Sequence, residues 1–295
     1  MKKIFVFFLS GFLFLSCCIV TQAAVIPKKI DKAAVGVKVL SNAKAVVDIS
    51  NLAEGFVMVK YTGGKNAKIK VQIQKSGDVA YTYDLNSAGN LETFPLTSGD
   101  GNYTIKVMEN VSGNKYSQAY SGTFTLKLRD AFLPFLYSNQ FVNYTSTSKA
   151  VTVAQDITKN DKTTLEKVQH IYSYVVNNLT YDYKLAETVA SGYLPNVDAV
   201  LAAKKGICFD YSALMCAMLR SQDVPTKLMI GYAGEVYHAW ISVYIENVGW
   251  VDQLIYFDGK NWSLMDPTFI SSSKNSKDAQ AFVSNTKNYV VKYVY

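Results

Sequence analysis

The sequence predicts two structural units in one chain, an all-β sandwich over residues 31–129 and an α+β unit over residues 163–295. Three observations support this division. In the first part apolar residues alternate with polar or small ones, as in half-buried strands. In the second part an apolar stripe at helical spacing begins at Leu165 and ends at Leu179. Between them, residues 130–162 are first aromatic and then rich in Ser and Thr, which is typical of a connector.

Four segments of the first part alternate with the period of two that strands show. These segments are Val35-Val37-Val39, Ile69-Val71-Ile73, Tyr103-Ile105-Val107 and Phe124-Leu126-Leu128. Glycine-containing turn sequences separate them, and short strands at such spacing favour an immunoglobulin-like sandwich. Gly101-Asn102-Tyr103 resembles the start of a strand that bears a tyrosine corner. We find no cluster of catalytic residue types in this part, and we expect it to be an accessory module.

The first residues have the features of a secretory signal peptide: a basic start, an apolar run to Val20 and small residues before a cleavage site. The predicted cleavage follows Ala23, which makes residues 1–23 the signal. Two alternatives stay open, a lipoprotein in which Cys17 becomes the lipidated N-terminus and an uncleaved anchor. We therefore expect a secreted or cell-surface-associated protein.

The net charge is small for a chain of 295 residues. The full sequence has a formal charge of +7, and the predicted signal contains Lys2 and Lys3 but no acid, so its removal would leave +5. So diffuse a charge does not predict binding to nucleic acid. A chain of this length can bury a full core without disulfides.

Cysteine usage suggests that the exported protein keeps free thiols. Of four cysteines, Cys17 and Cys18 lie in the predicted signal, which leaves Cys208 and Cys216. These two are eight residues apart on one predicted helix, which places their Cα atoms about 12 Å apart at the helical rise. A disulfide needs a separation below ~7 Å. The two thiols are therefore expected to stay unpaired.

The position of each thiol in that helix distinguishes them. Gly206 is expected to allow a tight turn, after which Cys208 stands in the first helical turn. Free N–H groups and the positive end of the helix dipole favour a thiolate there, and the same N–H groups can bind an oxyanion. Cys216 lies two turns deeper among methionines and alanines, where a thiol packs as a small apolar group. Cys208 is therefore the candidate nucleophile.

A thiol nucleophile needs a base, and the chain has two histidines. His170 lies off the apolar stripe of its helix and is expected at the surface. His238 stands at the start of a predicted strand, and Asp266 ends a later one. If the two strands are antiparallel neighbours, Asp266 comes to lie beside His238. Cys208, His238 and Asp266 then form a nucleophile, base and orienting carboxylate.

Three segments together resemble the motifs of the transglutaminase-like core. They are Gly206-Ile207-Cys208-Phe209-Asp210-Tyr211-Ser212, Tyr237-His238-Ala239-Trp240 and Trp262-Ser263-Leu264-Met265-Asp266-Pro267-Thr268. The resemblance covers residues 163–270 and implies a papain-like α+β fold in which the nucleophile helix packs against an antiparallel sheet. It also implies that Cys208 attacks a protein or peptide amide and forms an acyl-thioester. Whether an amine or water accepts the acyl group stays open, so transglutaminase and cysteine protease or amidase are both retained.

Two other functions are weighed against this one. A non-catalytic cell-surface binding module remains an alternative, although all three triad residues are present. A zinc site built from Cys208, Cys216 and His238 is disfavoured because the cysteines are too far apart and no second ligand pair accompanies them. We expect no cofactor and no metal. The expected partner is a protein or peptide substrate, with cell-wall peptides as one class, and not nucleic acid.

Overall fold

The residues described by the computed structural model are 34–64, 67–252, 255–257, 262–264 and 288–295. The predicted signal peptide and Asp266 lie outside them. Within the described ranges, none of the helices combines the length and the apolar character that crossing a membrane requires.

The N-terminal half consists of two four-stranded antiparallel sheets. Its strands are β1 (Val39–Ser41), β2 (Ala45–Asp48), β3 (Phe56–Tyr61), β4 (Ile69–Lys75), β5 (Tyr81–Leu85), β6 (Glu92–Pro95), β7 (Gly101–Ser112) and β8 (Lys115–Leu126). The strand orders are β1-β2-β3-β6 and β5-β4-β7-β8. Apolar side chains of both sheets share one core, and the rings of Tyr83 in β5 and Phe94 in β6 meet with centroids 5.0 Å apart. A β-rich N-terminal half is therefore observed.

Three of the four strands predicted from alternation are confirmed, as β4, β7 and β8. The first prediction is wrong over most of its length because β1 begins only at Val39. Val35 and Val37 are 57% and 76% exposed, and Gly36 between them has φ of +69°, which takes the backbone out of the extended region. The hydroxyl of Tyr103 donates to the carbonyl of Gly99 at 2.8 Å, which is the hydrogen bond of a tyrosine corner.

The C-terminal half combines helices with a mostly antiparallel set of strands. The helices are α1 (Lys149–Thr158), α2 (Thr164–Asn178), α3 (Tyr183–Thr188), α4 (Val197–Ala203) and α5 (Cys208–Arg220). The strands are β9 (Thr180–Tyr181), β10 (Lys205–Gly206), β11 (Thr226–Ala233), β12 (Val236–Ile245), β13 (Gly249–Asp252), β14 (Ile255–Phe257), β15 (Trp262–Leu264) and β16 (Tyr289–Val294). Two short 3-10 helices, Leu52–Glu54 and Leu133–Phe135, complete the described elements.

The main sheet of this half has the order β13-β12-β11-β16, and all its neighbours are antiparallel. Helix α5 lies at the centre, in contact with α1, α2, α4, β11 and β12. Every residue of α5 from Asp210 to Arg220 is buried. This central helix against an antiparallel sheet is the α+β arrangement expected for the second unit.

Helix α1 lies within the segment that the sequence predicts as a connector. Ala150, Val151 and Ala154 are buried, and α1 packs against α5 and α2. The prediction missed this helix because its buried positions are partly alanines, which give a weak apolar stripe next to a Ser/Thr-rich run. The start of the helical unit is therefore earlier than residue 163.

Helix α2 confirms the predicted stripe and begins with a capping box. The amide of Glu166 donates to the hydroxyl of Thr163 at 3.2 Å, and the amide of Thr163 donates to the Glu166 carboxylate at 2.9 Å. His170 on this helix is exposed and lies 2.8 Å from a carboxylate oxygen of Asp161. Its predicted surface position is confirmed.

The two halves are joined by hydrogen bonds and aromatic contacts. The Thr97 hydroxyl, after β6, donates to the carbonyl of Val294 in β16 at 2.6 Å. The Gln140 side chain donates to the carbonyl of Asp84 in β5 at 2.7 Å. Phe141, in the segment between the halves, has its ring 5.7 Å from that of Tyr83 and 4.3 Å from that of Tyr295. The edge of the first half thus rests on the last strand of the second.

The C-terminal end of α5 is tied to three other segments by one buried cation. Arg220 is 1% exposed and donates to the carbonyls of Thr226, Tyr137 and Tyr295 at 2.8 to 2.9 Å. Burial lowers the pKa of its guanidinium. Because the three carbonyls belong to β11, the connector and the end of the β16 segment, Arg220 fixes α5 against its neighbours.

Candidate functional site

Cys208 is the first residue of α5, as the sequence predicts. Its side chain is partly exposed, whereas the helix beyond it is buried. The first-turn N–H groups of an α-helix have no carbonyl partner within the helix. One preceding amide is already used, because Ile207 N–H donates to the Asp210 carboxylate at 2.9 Å. The thiol therefore stands at the open, positive end of a helix that the core holds rigidly.

Asp210 connects this first turn to the loop that follows α3. Its carboxylate is 1% exposed and accepts hydrogen bonds from the amide of Ile207 at 2.9 Å and from the hydroxyl of Tyr193 at 2.7 Å. Burial raises the pKa of the Asp210 carboxyl, and these two hydrogen bonds oppose the shift without cancelling it. Burial, together with the neighbouring Asp210, also raises the pKa of Tyr193. Through these hydrogen bonds the buried Asp210 carboxyl fixes both the turn beside Cys208 and Tyr193, which lines the adjoining cleft.

Gly206 is required by close packing rather than by an unusual backbone conformation. Its φ is not among the positive values in the chain, so the expected tight turn is not the reason for glycine here. A Cβ atom at this position would lie 2.6 Å from the Cβ of Asp210. The Gly206 carbonyl also accepts from the amide of Asp182 at 2.9 Å, and β10 pairs with β9. The glycine lets α5 start directly against this strand pair.

Cys216 has the role that its position predicts. It is 0% exposed in the core beneath α5, and burial raises the pKa of its thiol to about 12. Both described cysteines are free. Only Cys208 of the two is placed for chemistry.

His238 lies at the start of β12, as expected. It pairs with Gly231 of β11 and is 6% exposed. Trp240, two residues on, has its ring nearly parallel to the imidazole with centroids 6.1 Å apart. Trp240 is 2% exposed and belongs to the core. The imidazole therefore lies against a packed tryptophan, and pairing with β11 fixes the backbone of His238.

Cys208 and His238 line the same cleft, whose volume is about 570 Å³. Aromatic residues form much of its lining, including Phe141 from the connector and Tyr293 from β16. A third wall comes from β4 and β5 of the N-terminal half, with Lys70, Thr82 and Asp84. A thiol and an imidazole thus face one solvent-filled space that both halves enclose, which is the setting for attack on a bound carbonyl.

The third predicted triad residue, Asp266, lies outside the described residues. The sequence expects its strand to be an antiparallel neighbour of the strand that carries His238. Among the described strands, β12 has β11 and β13 as neighbours, and β15 pairs with β14. The placement of the Asp266 carboxylate beside His238 stays a prediction.

The described residues offer no alternative site with comparable chemistry. In these ranges no three His, Cys, Asp or Glu side chains form a group that could hold a metal ion. A second cavity of about 460 Å³ is lined by β6, the connector and Pro195, and it contains neither Cys208 nor His238. The cleft with the thiol and the imidazole is the candidate active site.

Residues 151–253 match the family model described as the transglutaminase-like superfamily. This part of the chain is therefore transglutaminase-like, and the resemblance noted in the sequence is confirmed. The matched range includes Cys208 and His238 and ends before Asp266.

Two curated relatives align with parts of the chain. The uncharacterized protein YebA of Bacillus subtilis (strain 168) is 25% identical over 185 residues, which cover 55% of this chain and 23% of YebA. The UPF0252 protein MJ1282 of Methanocaldococcus jannaschii is 31% identical over 111 residues, which cover 33% of this chain and 31% of MJ1282. The chain thus spans less than a third of the length of each of these relatives.

Among solved structures, the chain is similar to the periplasmic domain of TgpA from Pseudomonas aeruginosa bound to ethylmercury. The sequence identity is 15% and the TM-score is 0.35, over 80% of this chain and 98% of that domain.

Two features of the cleft were not predicted from the sequence. Asp210 was part of the recognised motif but had no assigned role. An acidic residue in the first turn of a helix is a known signal for capping the preceding N–H, and that signal would have identified it. No local signal marks Lys70 and Asp84, because they lie more than 120 residues before Cys208 in the chain.

Proposed function

We propose that the protein is an exported thiol acyltransferase or hydrolase that attacks a protein or peptide amide with Cys208. The observation that carries this proposal is the shared cleft: a thiol at a helix N-terminus and an imidazole on the adjacent strand line it together, within the range that matches the superfamily. His238 acts as the base, and Asp266 orients its imidazole.

The proposed reaction has two steps. The Cys208 thiolate attacks the amide carbonyl carbon, the C–N bond breaks, and the leaving nitrogen takes a proton from the His238 imidazolium. Ammonia or an amine departs and an acyl-thioester remains. An incoming amine or water then gives a proton to His238 and attacks the thioester carbonyl, and the C–S bond breaks to restore the thiolate. Backbone N–H groups at the start of α5 are suited to stabilise the oxyanion in both steps.

The test uses purified protein with glutamine-containing peptides, with and without a fluorescent primary amine, and products are identified by mass. Cys208→Ala and His238→Ala are expected to abolish product, and Cys216→Ala, which changes a core thiol, is the matched control. Amine incorporation identifies a transglutaminase, and ammonia release or peptide cleavage without incorporation identifies an amidase or protease. Retention of activity by Cys208→Ala would overturn the proposal, and the absence of any product with the wild-type protein would favour the alternative of a non-catalytic binding module.

The role of Asp266 has its own test. Asp266→Asn is expected to lower kcat by about 10³ to 10⁴, as in other triads where the orienting carboxylate is lost, while Asp258→Asn in the same segment changes it little. If both variants have wild-type kcat, another residue orients His238.

We further propose that β1 to β8 form an immunoglobulin-like sandwich. Two features support this assignment: the chain crosses between the two sheets after β3, β5 and β6, and Tyr103 makes the hydrogen bond of a tyrosine corner. Export is proposed from the signal-like start of the sequence. The mass of the protein recovered outside the producing cell tests it, with Ala24 expected as the first residue and a lipid-modified Cys17 as the contrary result.

A further inference from the structure

The cleft that contains Cys208 has a neutral aromatic end and a charged end. Among its described lining residues, Lys70 and Asp84 are the charged ones besides the titratable His238, and both come from the N-terminal half. Their Nζ and Oδ1 atoms are 2.5 Å apart, and their side chains are 32% and 52% exposed. The remaining lining residues are neutral, and many of them are aromatic. A substrate therefore meets one pair of opposite charges at a single end of the cleft.

The strand that carries Asp84 is held firmly in this position. The Gln140 side chain donates to the Asp84 carbonyl at 2.7 Å and to the Glu92 carboxylate at 2.9 Å. The loop after α3 approaches from the other side, since a Cβ at Gly192 would lie 3.6 Å from Asp84 Oδ2. The charged end thus lies where β5, the connector and this loop meet, and the Asp84 backbone is held there by Gln140.

The pair retains hydrogen-bonding capacity for a ligand. An ammonium has three donors and a carboxylate has two acceptor oxygens, so a single contact between Lys70 and Asp84 leaves several sites unused. Thr82, two residues before Asp84 and on the same face of β5, also lines the cleft and carries a hydroxyl. A polar ligand group at this end would have charged and neutral partners within one small region.

We propose that Lys70 and Asp84 bind a zwitterionic α-amino-acid group of the substrate, with its carboxylate at Lys70 and its amino group at Asp84. An α-amino-acid group carries both charges on one carbon, which matches two opposite charges that are side by side. This inference rests on the proposed function of Cys208. It specifies the substrate class as a side-chain amide or isopeptide whose far end is a free α-amino-acid group. The N-terminal half then contributes to substrate specificity and is more than an accessory module.

The probe is an isopeptide between the glutamyl γ-carboxyl and the lysine ε-amine, with the glutamyl α-amino and α-carboxyl groups blocked by acetylation and amidation. It is compared with the same compound in which the lysine α-amino and α-carboxyl groups are blocked in the same way. Binding is measured with the full chain as protection of Cys208 from iodoacetamide, which requires no turnover. We expect the free compound to protect at a concentration at least fivefold lower than the blocked one. Lys70→Gln and Asp84→Asn should remove this difference, because each deletes one charge of the pair.

The matched control is Lys44→Gln, which breaks the ion pair between Lys44 and Glu109 on the same half of the protein but outside the cleft. This variant should keep the wild-type preference for the free compound. The proposal is overturned if neither compound protects Cys208, if both protect equally, or if Lys70→Gln and Asp84→Asn keep the preference. These outcomes differ from failure of the proposed function, which is shown by a Cys208→Ala protein that retains activity.

Discussion

Replacing Gly206 by alanine tests whether packing at the start of α5 positions the nucleophile. The new Cβ would lie 2.6 Å from Asp210 Cβ and 3.0 Å from Asp210 Oδ2. Carbon atoms pack at about 3.5–4.0 Å, so the strand pair and the first helical turn would have to separate by roughly 1 Å. Asp210 Cβ is fixed to the helix backbone and cannot rotate away. The variant therefore has to displace the turn that carries Cys208.

The expected cost follows from that displacement. Overpacking of a buried position costs about 1–3 kcal/mol of unfolding free energy, which lowers Tm by about 2–4 °C per kcal/mol in a protein of roughly this size. A shift of about 1 Å in a reacting group can lower the rate by about 10². Thermal unfolding is followed by tryptophan fluorescence, which reports on the C-terminal half because all three tryptophans lie there. The rate is measured by amide turnover.

Gly122→Ala is the matched control. Gly122 also has no positive φ, but its Cβ would meet the hydroxyl end of the Tyr120 side chain, which can move aside. Gly206→Ala should lower the unfolding free energy less in an Asp210→Gly background, which lacks the clashing Cβ, than in an Asp210→Ala background, which keeps it. The packing argument is refuted if the unfolding free energy and the turnover of Gly206→Ala both match those of Gly122→Ala.

Three further predictions concern buried groups around the site. In the native protein at pH 8, iodoacetamide should label Cys208 and leave Cys216 unlabelled until denaturant is added, because burial excludes the reagent and raises the pKa of Cys216 to about 12; peptide mass mapping checks this. Arg220→Met should lower the unfolding free energy by about 3 kcal/mol in urea denaturation, because three buried carbonyls lose their donor; an unchanged urea midpoint would contradict it. Asp210→Asn should become more stable relative to wild type as pH rises above 3.8, because a carboxyl whose pKa is raised in the folded state destabilises the fold once it ionises. The Tm of both proteins, measured from pH 3.5 upward, tests the sign. A Tm difference that does not change with pH would contradict the prediction.

Local sequence patterns predicted the position of the site residues in their elements. Cys208 was expected in the first turn of a helix and begins α5, and Cys216 was expected in the core and is fully buried. His238 was expected at the start of a strand and lies in β12. These predictions succeeded because each depends on a few neighbours in the chain, such as helix periodicity or a glycine before a helix.

Elements that depend on long-range packing were harder to predict. Strand β3 is buried along nearly its whole length, so it has no alternation to mark it. The sequence does not predict helix α1 because alanine gives a weak apolar signal. Val35 and Val37 alternate as residues of a strand do, although both are exposed. The requirement for Gly206 was attributed to backbone freedom, although the reason is the approach of Asp210 from the next helical turn.

The cleft is lined by residues inside the range that matches the superfamily and by residues outside it. The matched range, residues 151–253, contains the nucleophile and the base but neither the wall from β4 and β5 nor strand β16. Rings from these outer parts meet each other, since Tyr295 contacts both Tyr83 and Phe141. The thiol and imidazole are therefore held by the matched helix and sheet, while the outer surface of the cleft is held by residues outside that range. Because substrate choice depends on contacts made away from the reacting atoms, we expect it to differ among superfamily members whose N-terminal parts differ, even where the thiol chemistry is the same.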